Sequence, residues 1–302
     1  MDIKVFLQQQ QEAGKLYNPS KQTLNMYINH AVANMNTRRL NLNFSEDCTY
    51  PQSKTQDKVL KKMISQDTEL NHHFANAPAR FLNGERYELM MTDQTYPIQI
   101  KTSDSSFVLL GVDKEDNSFV AVKIYQKGKR IDEQRILVEF MLQEKAHVIL
   151  NGGFVCRAPR PIGFLRLKKK RDFEDIVPLL TVMEWCNFVP NHYIGLSLYD
   201  AVQHDKDKVT DKERLVNKRD YATICMSLIN AVNAMQRNQV FHLDIKEENV
   251  MLKHIEEDED TKVVPILTDF SVSVSEKRRG WLPFGKRLKD NTNLAPELFE
   301  KN

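Results

Sequence analysis

Cysteine is scarce in this chain, and what there is of it is scattered. Cys48, Cys156, Cys186 and Cys225 show no metal-ligand or disulfide spacing. That excludes a disulfide framework and a zinc module, and it implies reduced thiols in an intracellular, cytoplasmic protein. Long hydrophobic runs are missing too. No apolar stretch approaches the ~20 residues needed to cross a bilayer. Residues Met1 to Gln11 lack the apolar core of a signal peptide, so the expectation is a soluble protein that is not secreted. Charge of one sign is also lacking. Lys and Arg number 43 against 41 Asp and Glu, for a formal net charge of +2. That balance argues for no nucleic-acid partner and no membrane partner.

What is present is enough apolar material for a real core, at 41% hydrophobic residues in 302. The length suits one large domain or two smaller ones. The pattern divides near residue 90. Residues 1–90 read as polar and helical: Leu24, Ile28, Val32 and Met35 keep helical spacing, as do Leu60 and Ile64. Asn18-Pro19-Ser20 and Tyr50-Pro51-Gln52-Ser53 mark breaks between helices. This region carries no catalytic constellation. His72 and His73 are adjacent, so on a helix they face different ways and read as surface histidines, not a metal pair.

From Tyr96 the period changes. Pro97–Lys101, Phe107–Val112 and Ser118–Tyr125 read as three strands, with Asp113–Asn117 as a charged turn. A helix follows from Asp132 to about Val148. Strands are expected near Pro161–Leu167 and Pro178–Met183, joined by the charged loop Lys168–Asp175. A further helix runs from about Asp220 to Arg237.

Directly after that helix comes His242-Leu243-Asp244-Ile245-Lys246-Glu247-Glu248-Asn249, and then Asp269-Phe270-Ser271. Phosphoryl transfer asks for few groups, closely placed: a carboxylate to orient the attacking hydroxyl, and an amide and a second carboxylate to hold Mg²⁺ on the phosphates. Asp244, Asn249 and Asp269 are of those types in that order. The first run resembles the H-R-D-x-x-x-x-N catalytic loop of protein kinases and the second resembles D-F-G. Val120-Ala121-Val122-Lys123 is similar to the V-A-I-K of the family, and Leu294-Ala295-Pro296-Glu297 to its A-P-E. These matches cover residues from about 96 to the end.

The resemblance implies an α+β, bilobal protein-kinase-like fold: a β-rich small lobe over about 91–183, a hinge at 184–187, and a helical large lobe from 188 to 302, with MgATP between the lobes. It implies catalytic roles for Asp244 and Lys246, the latter as in Ser/Thr kinases. Asn249 and Asp269 would bind metal, Mg²⁺ or alternatively Mn²⁺. Lys123 would meet the α- and β-phosphates of ATP. Glu139 is the better candidate for its carboxylate partner, with Glu144 as the alternative. Val108 and Ala121 would roof the adenine slot and Met251 would floor it. The backbones of Glu184 and Cys186 would bond the adenine edge beside Met183. His242 would brace the loop.

The departures from the family are informative. The segment Lys101-Thr102-Ser103-Asp104-Ser105-Ser106-Phe107-Val108 stands where glycines normally let backbone N–H groups approach phosphate. Ser103 and Ser106 could donate hydroxyls there, whereas Asp104 would repel phosphate. Ser271 replaces the glycine of D-F-G. Leu243 replaces the arginine that pairs with a phosphorylated activation segment, so such phosphorylation is not expected to be the switch. Lys277, Arg278, Arg279, Lys286, Arg287 and Lys289 make that segment basic. It is a solvated loop by default, or else an attraction for an acidic protein substrate. Glu256–Asp260 reads as a solvated acidic loop.

The chain stops shortly after Glu297, so the large lobe is expected to be incomplete, and a partner chain could complete it. The divergence resembles kinases of large DNA viruses or intracellular bacteria, which would place the protein in a host cytoplasm. The leading expectation is a protein serine/threonine kinase. The alternatives are a pseudokinase scaffold and, third, a kinase-like phosphotransferase acting on a small molecule.

Overall fold

Two β-rich runs of alternating parity build the first half of the protein, and a hairpin of their residues is its centre. The computed structural model describes residues 56–76, 82, 86–89, 99–102, 105–116, 118–127, 132–153, 155–166, 177–186, 196–257 and 260–277. Its contacts divide the chain into two units. One runs to Val138 and takes in Pro161–Trp185. The other takes Glu139–Arg160, Cys186 and the described residues from 196 onward. The architecture is mixed α and β, with an antiparallel sheet of six strands in the first unit.

In that unit α1 (Gln56–Gln66) and α2 (Thr68–Asn76) precede β1 (Tyr87–Leu89), β2 (Gln99–Thr102), β3 (Ser106–Asp113) and β4 (Phe119–Tyr125). After α3 (Glu133–Asn151) come β5 (Pro161–Arg166) and β6 (Leu179–Glu184). The strand order is β1-β3-β4-β6-β5, with β2 also on β3. β1 pairs with Gly111 to Asp113 and β2 with Phe107 to Leu109, so the two share the length of β3. Leu89 faces Gly111, where a Cβ would lie 3.0 Å from a Val122 methyl and 3.2 Å from the Glu88 carbonyl. A glycine is what lets β1 lie there. β1 falls inside the stretch whose pattern reads as helical; three residues are too few for a period to show.

Strand alternation sorts the apolar residues onto two faces. Tyr87, Leu89, Leu109, Val120, Val122, Ile124, Leu165, Leu180 and Val182 form one cluster. Leu110, Val112, Ala121 and Trp185 form the other, with Val108, Phe119 and Met183 packed against it. The β3–β4 turn is closed by the Asp113 amide donating to the Ser118 carbonyl at 2.9 Å. Asp113 is buried, and Arg86 answers it with two bonds, at 2.6 and 2.5 Å. Burial, with the Asp113 charge next, pushes the Tyr87 phenol up to about 12.

α1 and α2 turn their apolar positions inward at Ile64, Leu70 and Phe74. Asp67 starts α2 by accepting from the amides of Glu69 and Leu70. α3 is capped likewise by Asp132, which accepts from the Arg135 amide. Every residue of α3 from Ile136 to Gln143 is buried, Glu139 and Gln143 along with the apolar ones.

The second unit holds the rest of α3, then α4 (Leu198–Asp205), α5 (Lys218–Arg237), β7 (Val240–Phe241), β8 (Val250–Glu257), β9 (Asp260–Leu267) and β10 (Val274–Ser275). β8 pairs with β9 and β7 with β10, both antiparallel. The β8–β9 ladder continues to Glu257 opposite Asp260. The acidic run expected to be a loop is therefore carried largely by paired strands, with Asp258 and Glu259 outside the described residues. Ser197 caps α4, its hydroxyl accepting from the Asp200 amide while the Asp200 carboxylate accepts from the Ser197 amide. Cys156, Cys186 and Cys225 form no disulfide among the described residues, and burial pushes the Cys156 thiol up to about 12. Cys48 lies outside the described residues. No helix among the described residues is long and apolar enough to cross a membrane.

The link from α4 to α5 hangs on Asp205, which is 1% exposed. Its carboxylate accepts from the amides of Leu215 and Val216 at 2.7 and 2.9 Å and from the Tyr221 hydroxyl at 2.9 Å, with the His204 imidazole 2.8 Å away. Burial alone would raise its pKa, but these bonds outweigh it and hold the carboxyl below its ordinary value. Asp205→Ala strands several buried donors and should cost about 3 kcal/mol in urea unfolding. Burial has the opposite consequence at His254 in β8, whose pKa falls to about 4. The unfolded chain then binds a proton between about pH 6.5 and pH 4 that the folded one refuses. Stability should fall as pH is lowered from 7 to 5, and His254→Gln should flatten that fall.

Candidate active site

Residues of even number on β3 and odd number on β4 and β6 point to one side of the sheet. Ladder pairing sets Val108 opposite Lys123 and Ala121 opposite Met183. Ser106, Val108, Ala121, Lys123 and Met183 therefore share a face. Lys123 is 3% exposed, and an ammonium that deep is costly unless compensated. Two residues along the strand, the Tyr125 ring lies 5.4 Å from its Nζ, while the Tyr125 hydroxyl meets Thr181 Oγ1 at 3.1 Å. Thr102 pairs with Phe107, so Ser105 and Ser106 lie where the chain enters β3, within the segment expected for the phosphate loop. Ser106 there is buried. Ser103 and Asp104 lie outside the described residues.

Glu139 sits on α3 and is 3% exposed, whereas Glu144 is half-buried. Glu184 ends β6, paired with Val120. Cys186 and Met251 are brought together in the second unit, in one apolar cluster with Val264 and Ile266 and with Ile255 against it.

The loop after β7 is built around His242, which is buried. Its Nδ1 lies 3.3 Å from the Asp244 amide and accepts from it. That leaves Nε2 to carry the hydrogen and donate to the Thr268 carbonyl at 3.0 Å. The ring also meets Phe270 edge-on, with centroids 4.8 Å apart. Phe270 is fully buried, so Asp269 is anchored by its neighbour while it takes φ 68°.

Asn249 is 0% exposed and organises the site. Its Nδ2 donates to both the Asp244 carbonyl and Asp244 Oδ2, each at 2.8 Å. Its own carbonyl accepts from the Thr268 amide at 2.8 Å and the Thr268 hydroxyl at 3.0 Å. The residue preceding Asp269 is thereby tied to Asn249. Lys246 Nζ stands 3.1 Å from Asp244 Oδ2. An ion pair this open to solvent adds little stability, so its consequence is for where the carboxylate points.

The arrangement offers a carboxylate oriented by an amide and an ammonium, with Asn249 tied through Thr268 to the backbone that leads into Asp269. Among the described residues no group of three or more His, Cys, Asp or Glu could hold a metal. An Asn–Asp pair fits a hard divalent ion such as Mg²⁺, which takes one or two protein oxygens and fills the rest of its shell from water and phosphate. With its Nδ2 end against Asp244, Asn249 has its Oδ1 end turned away from that carboxylate. Thr268, Phe270 and Ser273 also shape the loop. Ser273 carries no sequence signal, because its partner is a backbone carbonyl. The Leu294–Glu297 motif and the basic residues beyond Lys277 lie outside the described residues. Asn249→Ala removes both bonds to Asp244 and should cost about 2 kcal/mol in urea unfolding, the usual worth of hydrogen bonds to a charged group.

Comparison with known proteins adds a sequence likeness. No family model matches the chain. The calcium-dependent protein kinase 2 of Zea mays is 25% identical over 225 residues, covering 68% of this chain and 39% of its own length. The calcium-dependent protein kinase 12 of Oryza sativa subsp. japonica is 21% identical over 195 residues, covering 59% of this chain and 33% of its own. The chain thus spans well under half the length of the curated relatives it matches. The solved structure of the Cydia pomonella granulovirus kinase, PK-1, aligns with 63% of this chain and 55% of its own at 16% identity. Its TM-score of 0.39 is too low to carry an argument. The likeness to plant protein kinases, together with the loop assembled around Asp244, supports a divergent member of the protein-kinase superfamily.

Proposed function

We propose that this protein is a serine/threonine kinase that transfers the γ-phosphate of ATP to a hydroxyl of a protein substrate, with Mg²⁺ as the metal. The observation that carries the reading is the Asp244 carboxylate, with Oδ2 held by Asn249 Nδ2 at 2.8 Å and Lys246 Nζ at 3.1 Å. A carboxylate so fixed can orient a Ser or Thr hydroxyl and receive its proton as the oxygen–phosphorus bond forms and ADP departs. Lys246 offers a cation beside that carboxylate and so beside the transferring phosphoryl group. Lys123, buried on the sheet face with Val108 and Ala121, supplies a positive charge for the α- and β-phosphates against an apolar surface for the adenine. When bound, the metal would offset phosphate charge, and Asn249 and Asp269 are the residues to hold it.

A second reading, a scaffold that binds partners without catalysis, draws on the β2–β3 connection. It lacks the glycines that bring backbone N–H groups close to phosphate. The two part on one assay. Radiolabelled γ-phosphate transfer from MgATP should label Ser or Thr of an added protein, with an acidic protein the first to try against the basic segment after Glu276. Asp244→Asn should lower the rate by about 10²- to 10⁴-fold, the usual worth of a positioned acid–base group. A folded wild-type protein that labels nothing overturns the kinase reading in favour of the scaffold. Label on small molecules alone would overturn it in favour of a small-molecule phosphotransferase.

A further inference from the structure

Leu243, directly before Asp244, has φ 65°. A leucine keeps that left-handed conformation only where its surroundings hold it. Both flanking peptide groups are held. On the far side, the Asp244 amide donates to His242 Nδ1 at 3.3 Å. On the near side, the His242 carbonyl accepts from the Ser273 hydroxyl at 3.0 Å.

Ser273 is 0% exposed and stands just before β10. The β7–β10 register sets Val274 opposite Phe241 and Ser275 opposite Val240. One step further would set Ser273 opposite His242. The Ser273 amide cannot continue the ladder, because it donates to the Phe270 carbonyl at 3.1 Å. The hydroxyl stands in for the missing ladder bond. It ties the segment carrying Asp269 to the peptide group that begins the turn into Asp244.

We infer that Ser273 is a positioning residue for Asp244: its hydroxyl pins the His242 carbonyl, keeps Leu243 left-handed and so sets the direction of the Asp244 carboxylate. The catalytic consequence rests on the kinase reading, while the clamp rests on backbone geometry alone.

The test is a mutant cycle of wild type, S273A, L243G and S273A/L243G, read by phosphotransfer kinetics and by hydrogen exchange of peptides spanning 240–249. Loss of the clamp in S273A should speed exchange there, with the rest of the protein unchanged. It should lower kcat about tenfold with the KM for ATP within about twofold, the signature of a misdirected group as opposed to lost binding. Glycine accepts positive φ without the leucine's strain. The S273A loss should therefore shrink to less than about threefold in the L243G background, a coupling that two residues acting independently would not show.

An S273A penalty equal in both backgrounds, or exchange raised evenly across the second unit, overturns the inference by making Ser273 a packing residue. Unchanged exchange and unchanged kcat overturn it as well. If S273A does not fold, S273T, which keeps the hydroxyl, is compared with S273C, which keeps the size, and the same coupling is sought. A wild type without phosphotransfer would sink the kinase reading, and the exchange comparison would still decide the clamp.

Discussion

One imidazole ties the turn into Asp244 to the chain that leads into Asp269. His242 accepts the Asp244 amide at one nitrogen and donates to the Thr268 carbonyl from the other. A neutral imidazole does both in one plane, accepting and donating from opposite edges of a rigid ring. Because it is buried, both bonds are shielded from competing water, and the residues on either side are fixed relative to each other. Asp244 and Asp269 are 25 positions apart in sequence, yet the Asp244 amide and the carbonyl of the residue before Asp269 meet the same ring.

The second constraint is charge placed where charge is expensive. Lys123, Glu139, Asp113 and Asp205 are all at or below 4% exposed. Asp205 and Asp113 are answered in full view, by amides and a hydroxyl in one case and by Arg86 in the other. They behave as staples: each closes a link between elements, and neither lies near the loop that carries Asp244 along the chain. Lys123 differs in kind, sitting on a sheet face with Val108, Ala121 and Met183 and not at a turn. On the kinase reading proposed above, its charge would meet the phosphates while its apolar neighbours on that face meet the adenine.

Backbone strain marks the same region. Leu243 and Asp269 both hold positive φ, at roughly 1–2 kcal/mol per non-glycine residue. Leu243 precedes one candidate carboxylate and Asp269 carries the other, with buried groups beside each: His242 and Ser273 around Leu243, Phe270 next to Asp269. Backbone held in sparsely populated regions tends to cluster at functional sites, and these two residues lie at the candidate one.

Much of the fold can be read from local pattern. The alternation in Phe107–Val112 and Ser118–Tyr125 marks β3 and β4, and the long apolar run after Asp132 marks α3, because side-chain period is a property of the segment itself. The three-residue β1 and the eight-residue α4 escape that reading, since neither is long enough to show a period and both exist through partners, Gly111 for one and the Asp205 network for the other. Within the loop, sequence alone determines the order of chemical types: His, Asp, Lys and Asn at close spacing, then Asp before Phe. It cannot determine which Asp244 oxygen meets Asn249 and Lys246, that Ser273 closes the ladder on His242, or that Cys186 and Met251 join one cluster. Those were decided by tertiary structure. The Ser273 bond goes to a backbone carbonyl, Cys186 and Met251 are distant in sequence, and the Asp244 contacts depend on how the loop is folded, so none leaves a periodic trace in the chain.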